Sequence, residues 1–284
     1  MVQLNNLNRV QGDASPLLSV KNPQIMGVLN ITPDSFSDGG RFTVVEKAIQ
    51  QALNMVEQGA SIIDIGGEST RPNATPVSTA EEVSRVVPVI QGIRLKSNIT
   101  ISIDTSKSEV MKSAVEAGAD LINDVYALQR PGALDMASTL GVPVCLMHMQ
   151  ADPKTMQDKP SYLNVIEEVN DFFKQRIKAC EQVGIAREKI IIDPGFGFGK
   201  TLQHNLSLLA KLNDFAIHGC PILAGLSKKS MLGELLNKKV EERTLGSVTA
   251  ALLAVINGAS IVRVHDVAET SDALKIYNAV QCAK

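Results

Sequence analysis

The stretch EQGASIIDIGG, Glu57 to Gly67, leaves an amphipathic segment through a glycine and enters a short apolar run. The same junction returns in EAGADLINDV from Glu116, TLGVPVCLMH from Thr139, QVGIAREKIIIDPG from Gln182 and NGASIVRVHD from Asn257. Glycine at 59, 118, 141, 184 and 258 suits the left-handed residue that closes a helix. A buried strand after each such cap predicts a repeating helix–strand unit. IMGVLNI from Ile25, TISIDTS from Thr100 and PILAGLS from Pro221 bring the strands to eight.

The segments between them have helical periodicity. Val45, Ala48, Ile49, Ala52, Leu53 and Val56 share one helical face, and Val165, Ile166, Val169, Phe172, Phe173, Ile177 and Cys180 share another. The strands are apolar runs of the kind covered by helices in a parallel sheet. Eight such units predict a single-domain α/β protein, a (β/α)8 TIM barrel over residues 23–284, with an open doubly wound sheet as the alternative. Residues 1–22 are polar and irregular and are expected to form a separate N-terminal segment.

The chain's 284 residues, 44% of them hydrophobic, suffice for one barrel core. A net charge of −2 gives no electrostatic signature of a nucleic-acid or membrane partner. The scattered cysteines, Cys145, Cys180, Cys220 and Cys282, form no C-x-x-C pair, which predicts reduced thiols and a cytoplasmic enzyme. No run has signal-peptide character or approaches the roughly 20 apolar residues of a membrane span.

In a barrel of this type the active site lies where strands end. Those ends carry Asn30; the GGESTR run from Gly66 to Arg71; Asp104; Asn123 and Asp124; His148; Asp193; Ser227, Lys228 and Lys229; and Arg263, His265 and Asp266. Asp104, Asn123, Asp193 and Lys229 combine carboxylate, amide and ammonium, a set suited to a planar heterocycle with alternating donors and acceptors. Arg263, His265, Asn30 and the Ser69–Thr70 turn suit an anion such as a phosphate. The bland alternative for Arg263 is a rim salt bridge with Asp266.

Other signals are weaker. GFGFGKT, Gly195 to Thr201, lacks the glycine spacing of a phosphate loop, since Pro194 stands where that loop needs glycine. It is read as a tight loop that keeps Asp193 accessible, with Phe196 and Phe198 as apolar walls. The MHM run around His148 is read as barrel lining, and His204 and His218 are expected at the surface. No nucleophile elbow or H-E-x-x-H motif is present.

Together MGVLNITPDSFSDGG, DIGGESTRP, SIDTSK, INDV, DPGFGFGK, GLSKKSMLG and RVHDV resemble the dihydropteroate synthase family along nearly the whole chain from Ile25. The resemblance implies a Mg²⁺-assisted transferase of folate synthesis, a homodimer that acts on p-aminobenzoate and a dihydropterin methyl diphosphate ester. It implies Asn30 as the metal-site residue and Asp104, Asn123, Asp193 and Lys229 as the pterin pocket. It places Thr70, Arg263 and His265 on the diphosphate, with Arg71 and Phe198 lining the substrate site. Ser227, Lys228, Phe36 and Pro72 would lie around the aminobenzoate. The loops TPDSFSDGG and GGESTRPNA are expected to close over it.

Two positions depart from the family pattern. Lys228 stands where arginine is common, and Asn73 where glycine is usual. A pterin-binding barrel that passes a methyl group to a corrinoid protein would share the pocket but has no need of an anion site. A non-catalytic binding barrel would need neither Arg263 nor Lys229.

Overall fold

All five junction glycines, at 59, 118, 141, 184 and 258, have positive φ, from 66° to 117°, and sit just after helices. The chain therefore turns sharply out of each helix and enters the next strand within a few residues. The computed structural model describes residues 22–31, 41–69, 75–150 and 160–283. The expectations for the N-terminal segment before Asn22, for Phe36, and for Thr70, Arg71, Pro72 and Asn73 fall outside the described residues.

The order is β1 (Gln24–Asn30), α1 (Arg41–Glu57), β2 (Ile62–Gly66), α2 (Thr79–Arg94), β3 (Thr100–Asp104), α3 (Ser108–Ala117), β4 (Leu121–Asp124), α4 (Ala133–Leu140) and β5 (Val144–Met147). Then follow α5 (Val165–Gln182), β6 (Ile190–Asp193), α6 (Leu202–Ala210), β7 (Leu223–Ala224), α7 (Ser230–Leu236), α8 (Thr244–Ile256), β8 (Ile261–Val264) and α9 (Val267–Cys282). The strands pair in parallel in the order β6-β5-β4-β3-β2-β1-β8-β7. A parallel bridge from Ile192 to Ile222 joins the two ends, so the sheet closes and the open-sheet alternative falls away.

Strand parity then divides the residues. Met26, Ile62, Leu121, Cys145, Ile191, Leu223 and Ile261 form a separate buried cluster inside the barrel. Their odd-numbered-step neighbours, among them Ile63, Ile65, Ile122, Val144 and Val262, belong to the larger core under the helices, as do Ile101 and Ile103 of β3. Two residues beyond four of the interior positions stand Asp64, Asn123, Asp193 and Arg263. Because side chains alternate along a strand, these four face inward one layer above an apolar floor. The strands thus look continuously apolar in sequence while alternating at their C-terminal ends.

The helices cover the outside as their periodicity requires. Ala48, Ile49 and Ala52 of α1 are buried, as are Val169, Phe173, Ile177 and Cys180 of α5. Phe173 is fully buried and meets the Phe215 ring edge-on at 5.9 Å between centroids. Phe173→Ala should therefore cost about 3–5 kcal/mol by loss of buried area and creation of a cavity. Urea unfolding should show a lower midpoint with an unchanged slope. A loss below about 1 kcal/mol would mean that this part of the shell collapses around the gap.

Candidate active site

The polar layer is organised by one guanidinium. Arg263 Nε donates to Asp64 Oδ2 at 2.6 Å, and its Nη2 donates to Asp104 Oδ2 at 2.8 Å. Asn123 Nδ2 donates to both oxygens of Asp64, at 3.4 and 3.3 Å. Four strands, β2, β3, β4 and β8, thus meet through side chains across the barrel. The rim pair of Arg263 with Asp266 is not formed. Asp266 instead accepts from Lys228 Nζ at 3.0 Å.

On the opposite side of the chamber Asp193 ends β6 and accepts from the Gly195 amide at 2.8 Å. Lys229 donates to the carbonyl of Phe196, and its ammonium stands 4.4 Å from the centre of the Phe198 ring. Phe198 is therefore a wall, as expected, and more: its π face supports a cation. Phe196 is fully buried beneath and contributes its carbonyl rather than its ring.

Three carboxylates, Asp64, Asp104 and Asp193, share this interior with two cations, Arg263 and Lys229. One excess negative charge in a poorly solvated space favours retention of a proton. Burial raises Asp104 to about 7, with Arg263 opposing and Asp64 adding to the rise. Burial also raises Asp193, against the pull of Lys229 and the Gly195 amide. Lys229 is lowered to about 8 by burial, with Asp193 opposing and Arg263 assisting. Arg263 is held above its ordinary range: burial works against its charge, but Asp64 and Asp104 outweigh it. The site can therefore present carboxylate, carboxylic acid, amide and ammonium groups to one ligand, which is what a heterocycle with both N–H and ring nitrogens requires.

The rim is built differently. Ser227 Oγ accepts from the His265 amide at 3.2 Å and lies 3.0 Å from its Nδ1. Ser227 thus orients His265. Lys228 has φ of +59°, and its backbone is held by Ser247 Oγ at 2.9 Å and Arg243 Nη1 at 3.1 Å. Asn30 ends β1, half-buried, beside this chamber. A Cβ added to Gly66 would lie 3.5 Å from Asn30 Oδ1 and 3.8 Å from Asp104 Oδ2, so the missing side chain leaves the two oxygens facing a shared gap.

Some strand-end residues serve the scaffold. Asp124 points away from the chamber and accepts from the Ser106 hydroxyl and from the amides of Tyr126 and Leu128 at 2.9 and 2.8 Å. His148 is buried behind the β6 loop, where its ring meets Phe172 of α5 at 4.9 Å between centroids, so it packs outside the barrel interior and does not line it. His204 and His218 are half-buried rather than free at the surface: His204 completes the N-terminal cap of α6 with Thr201, and His218 Nε2 lies 2.8 Å from Asn170 Oδ1. Asp64 was not among the candidate residues because it lies inside IIDIG rather than at its end. The signal that finds it is its spacing of two from Ile62, the spacing of Asp193 from Ile191.

A closed parallel barrel with a chamber matched to a planar, nitrogen-rich ligand defines a pterin-binding enzyme, and residues 26–265 match the family model described as pterin binding enzyme. More narrowly, the chain belongs to the dihydropteroate synthase family. It is 55% identical over 262 residues to the dihydropteroate synthase of Haemophilus influenzae, covering 92% of this chain and 95% of that protein. It is 51% identical over 267 residues to that of Escherichia coli K12, with coverage of 94% and 95%. Among solved structures, the Yersinia pestis dihydropteroate synthase with a sulfonamide drug complex superposes with a TM-score of 0.88 at 48% identity, over 96% of this chain and 98% of that one. The Xanthomonas albilineans enzyme with 7,8-dihydropteroate gives a TM-score of 0.84 at 48% identity, over 92% and 94%.

The charge balance of the chamber has a measurable consequence. Asp104 holds its proton more tightly in the native state than in the unfolded chain, between its ordinary 3.8 and about 7. In that window the native state binds more protons, so its contribution to stability is present at low pH and is lost as pH rises toward 7. The stability of the parent relative to Asp104→Asn should therefore fall between about pH 4 and 7, by at most about 1.4 kcal/mol per unit. Urea unfolding of both proteins across this range measures it. A pH-independent difference would show that Asp104 is ionised throughout.

Proposed function

We propose that the chain joins p-aminobenzoate to the (7,8-dihydropterin-6-yl)methyl diphosphate ester, giving 7,8-dihydropteroate and diphosphate. The observation that carries the reading is the interior constellation of Asp104, Asn123, Asp193 and Lys229 around Arg263. The Xanthomonas albilineans relative has been solved with 4-aminobenzoic acid at 51% identity to this chain, with a TM-score of 0.87, which supports the second substrate.

In this reading the amine nitrogen of aminobenzoate attacks the pterin methylene. The C–N bond forms, the C–O bond to diphosphate breaks, and the bonding pair leaves with the diphosphate. The attacking nitrogen then sheds a proton to diphosphate or solvent. An aromatic amine is neutral and needs no strong base, so the residues act by positioning and electrostatics. Asp193 accepts from adjacent pterin N–H groups, and Asn123 donates and accepts beside it. Lys229 donates to the pterin ring, and Asp104 in its ionised form favours positive charge that spreads from the methylene. Arg263 has donors beyond those given to Asp64 and Asp104, and with His265 they meet the diphosphate.

The residues also fit Mg²⁺. Among the described residues no group of three or more His, Cys, Asp or Glu forms a closed metal cage. The Asn30 amide oxygen over the Gly66 gap suits a cation that keeps its waters and is shared with substrate phosphate. When bound, the ion neutralises charge on the departing diphosphate.

Ser227 and Lys228 form the aminobenzoate side of the site. Asp266 already occupies Lys228, so a substrate carboxylate shares that ammonium rather than finding it unpaired. The assembly is a homodimer in the same reading, supported by Leu245, Leu253, Ile256, Ile276 and Val280, which leave α8 and α9 with exposed apolar side chains. The four cysteines are free thiols, which supports a reducing, cytoplasmic setting. Among the described residues no helix is long and apolar enough to cross a membrane.

Diphosphate release from the two substrates together, and not from either alone, is the expected result with purified protein. Asp193→Asn should abolish most of that turnover while the far-UV circular dichroism stays unchanged, because an amide replaces one acceptor with a donor against the pterin. An unpaired buried polar group costs roughly 1–3 kcal/mol, and more where charge is involved. Parent-like turnover and pterin affinity in Asp193→Asn would remove that carboxylate from the pocket.

A further inference from the structure

The loop that follows β6 ends in a lysine that this chemistry does not use. Lys200 is 3% exposed. Its Nζ donates to the carbonyls of Gly195 and Phe198, each at 2.9 Å, and to that of His148 at 3.3 Å. The same nitrogen lies 3.0 Å from His148 Nδ1. Four acceptors from two strand ends thus converge on one nitrogen, Lys200 Nζ, whose positive charge burial disfavours and Asp193 supports. Burial and the Lys200 charge push His148 down to about 2, so the imidazole is neutral and Nδ1 is an acceptor.

The backbone is bent to make this cage. Gly195, Gly197 and Gly199 alternate along the loop with φ of 70°, 77° and 62°. A Cβ on Gly195 would come within 1.9 Å of the His148 carbonyl, so the loop lies backbone against backbone on the end of β5. Such a curl turns the carbonyls of Gly195 and Phe198 toward one point, the inverse of an anion-binding nest.

The other side of the same few peptides faces the chamber. Gly195 gives its amide to Asp193 at 2.8 Å, and Phe196 gives its carbonyl to Lys229. The Phe198 ring supports the Lys229 ammonium at 4.4 Å. One loop therefore carries Lys200 behind it and two pterin-facing charges in front.

We infer that Lys200 is a positioning residue for the pterin half of the reaction, an internal cation around which the loop is wound so that Asp193 and Lys229 are held in register for the heterocycle. The inference rests on the pterin reading of Asp193 and Lys229. It goes beyond a structural lysine because the loop it fixes supplies direct partners to both groups. Lys200 also adds positive charge near Asp193, favouring its carboxylate form.

The test compares Lys200→Met with the parent and with Asp193→Asn. In Lys200→Met, kcat/KM for the pterin diphosphate should fall at least about tenfold, because small displacements of positioning groups cost that much or more. KM for p-aminobenzoate should stay within about twofold, since that pocket is built on other strands. The acid limb of kcat/KM should move to higher pH, a change that a loss of stability alone does not produce. A lower melting temperature with parent-like kcat/KM and an unmoved acid limb would overturn the inference. Turnover retained in Asp193→Asn would instead overturn the pterin reading itself. If Lys200→Met does not fold, parent protein labelled with ¹⁵N at lysine Nζ decides. The lysine ammonium signal most protected from exchange should shift on adding a phosphate-free pterin and stay fixed on adding p-aminobenzoate. A protected signal that pterin leaves unmoved would contradict the assignment.

Discussion

Arg263 in the barrel interior is the constraint from which the rest of the site follows. A guanidinium cannot be stripped of water there without counter-charges, and Asp64 and Asp104 supply them from two other strands. Those two carboxylates carry one more negative charge than Arg263 neutralises. Asp193 and Lys229 add a further pair that balances itself, so the chamber as a whole favours one proton. Asp104, raised to about 7 by burial, takes up that proton as pH falls below about 7 and is ionised above it. The ionisation pattern offered to a ligand is thus a consequence of how the barrel closes around one arginine.

The same constraint separates scaffold from chemistry. The apolar floor from Met26 to Ile261 seals the chamber from below, and the residues two steps further along each strand set its polarity. On the rim the elements are coupled in pairs: Ser227 sets His265, Asp266 restrains Lys228, and Arg243 holds the Lys228 carbonyl. A family arginine at position 228 would present a planar fork to Asp266 and a carboxylate together, whereas Lys228 divides a single point charge between them. Recognition of the aminobenzoate carboxylate is accordingly expected to depend on Asp266 in this chain.

Much of this was legible in the sequence. Five helix–glycine–strand junctions are enough to announce the repeat, because a left-handed cap followed by a short apolar run has few other uses. Asp104, Asn123, Asp193, Lys229 and Arg263 could be found because strand C-termini are where such a barrel holds its ligand. Asp64 could not be found by that rule, since its role comes from strand parity rather than from strand ends. Lys200 is hidden by a glycine-rich setting that imitates a phosphate loop; its partner His148 is more than fifty residues away, and only the pairing of β5 with β6 brings them together. The partner of Arg263 was likewise invisible. Asp266 is near in sequence, but Arg263 turns inward to Asp64 and Asp104 while Asp266 pairs with Lys228 on the rim.

Asp64 acts through Arg263, and a double-mutant cycle on turnover of the two substrates tests this most directly. Asp64→Asn and Arg263→Gln should each lower kcat/KM for the pterin diphosphate strongly. Combined, they should lower it no further than the worse single variant, within about twofold, because residues that act as one unit are non-additive. Losses that multiply in the double variant would show that Asp64 and Arg263 act separately, and the chamber would have to be explained without their pairing.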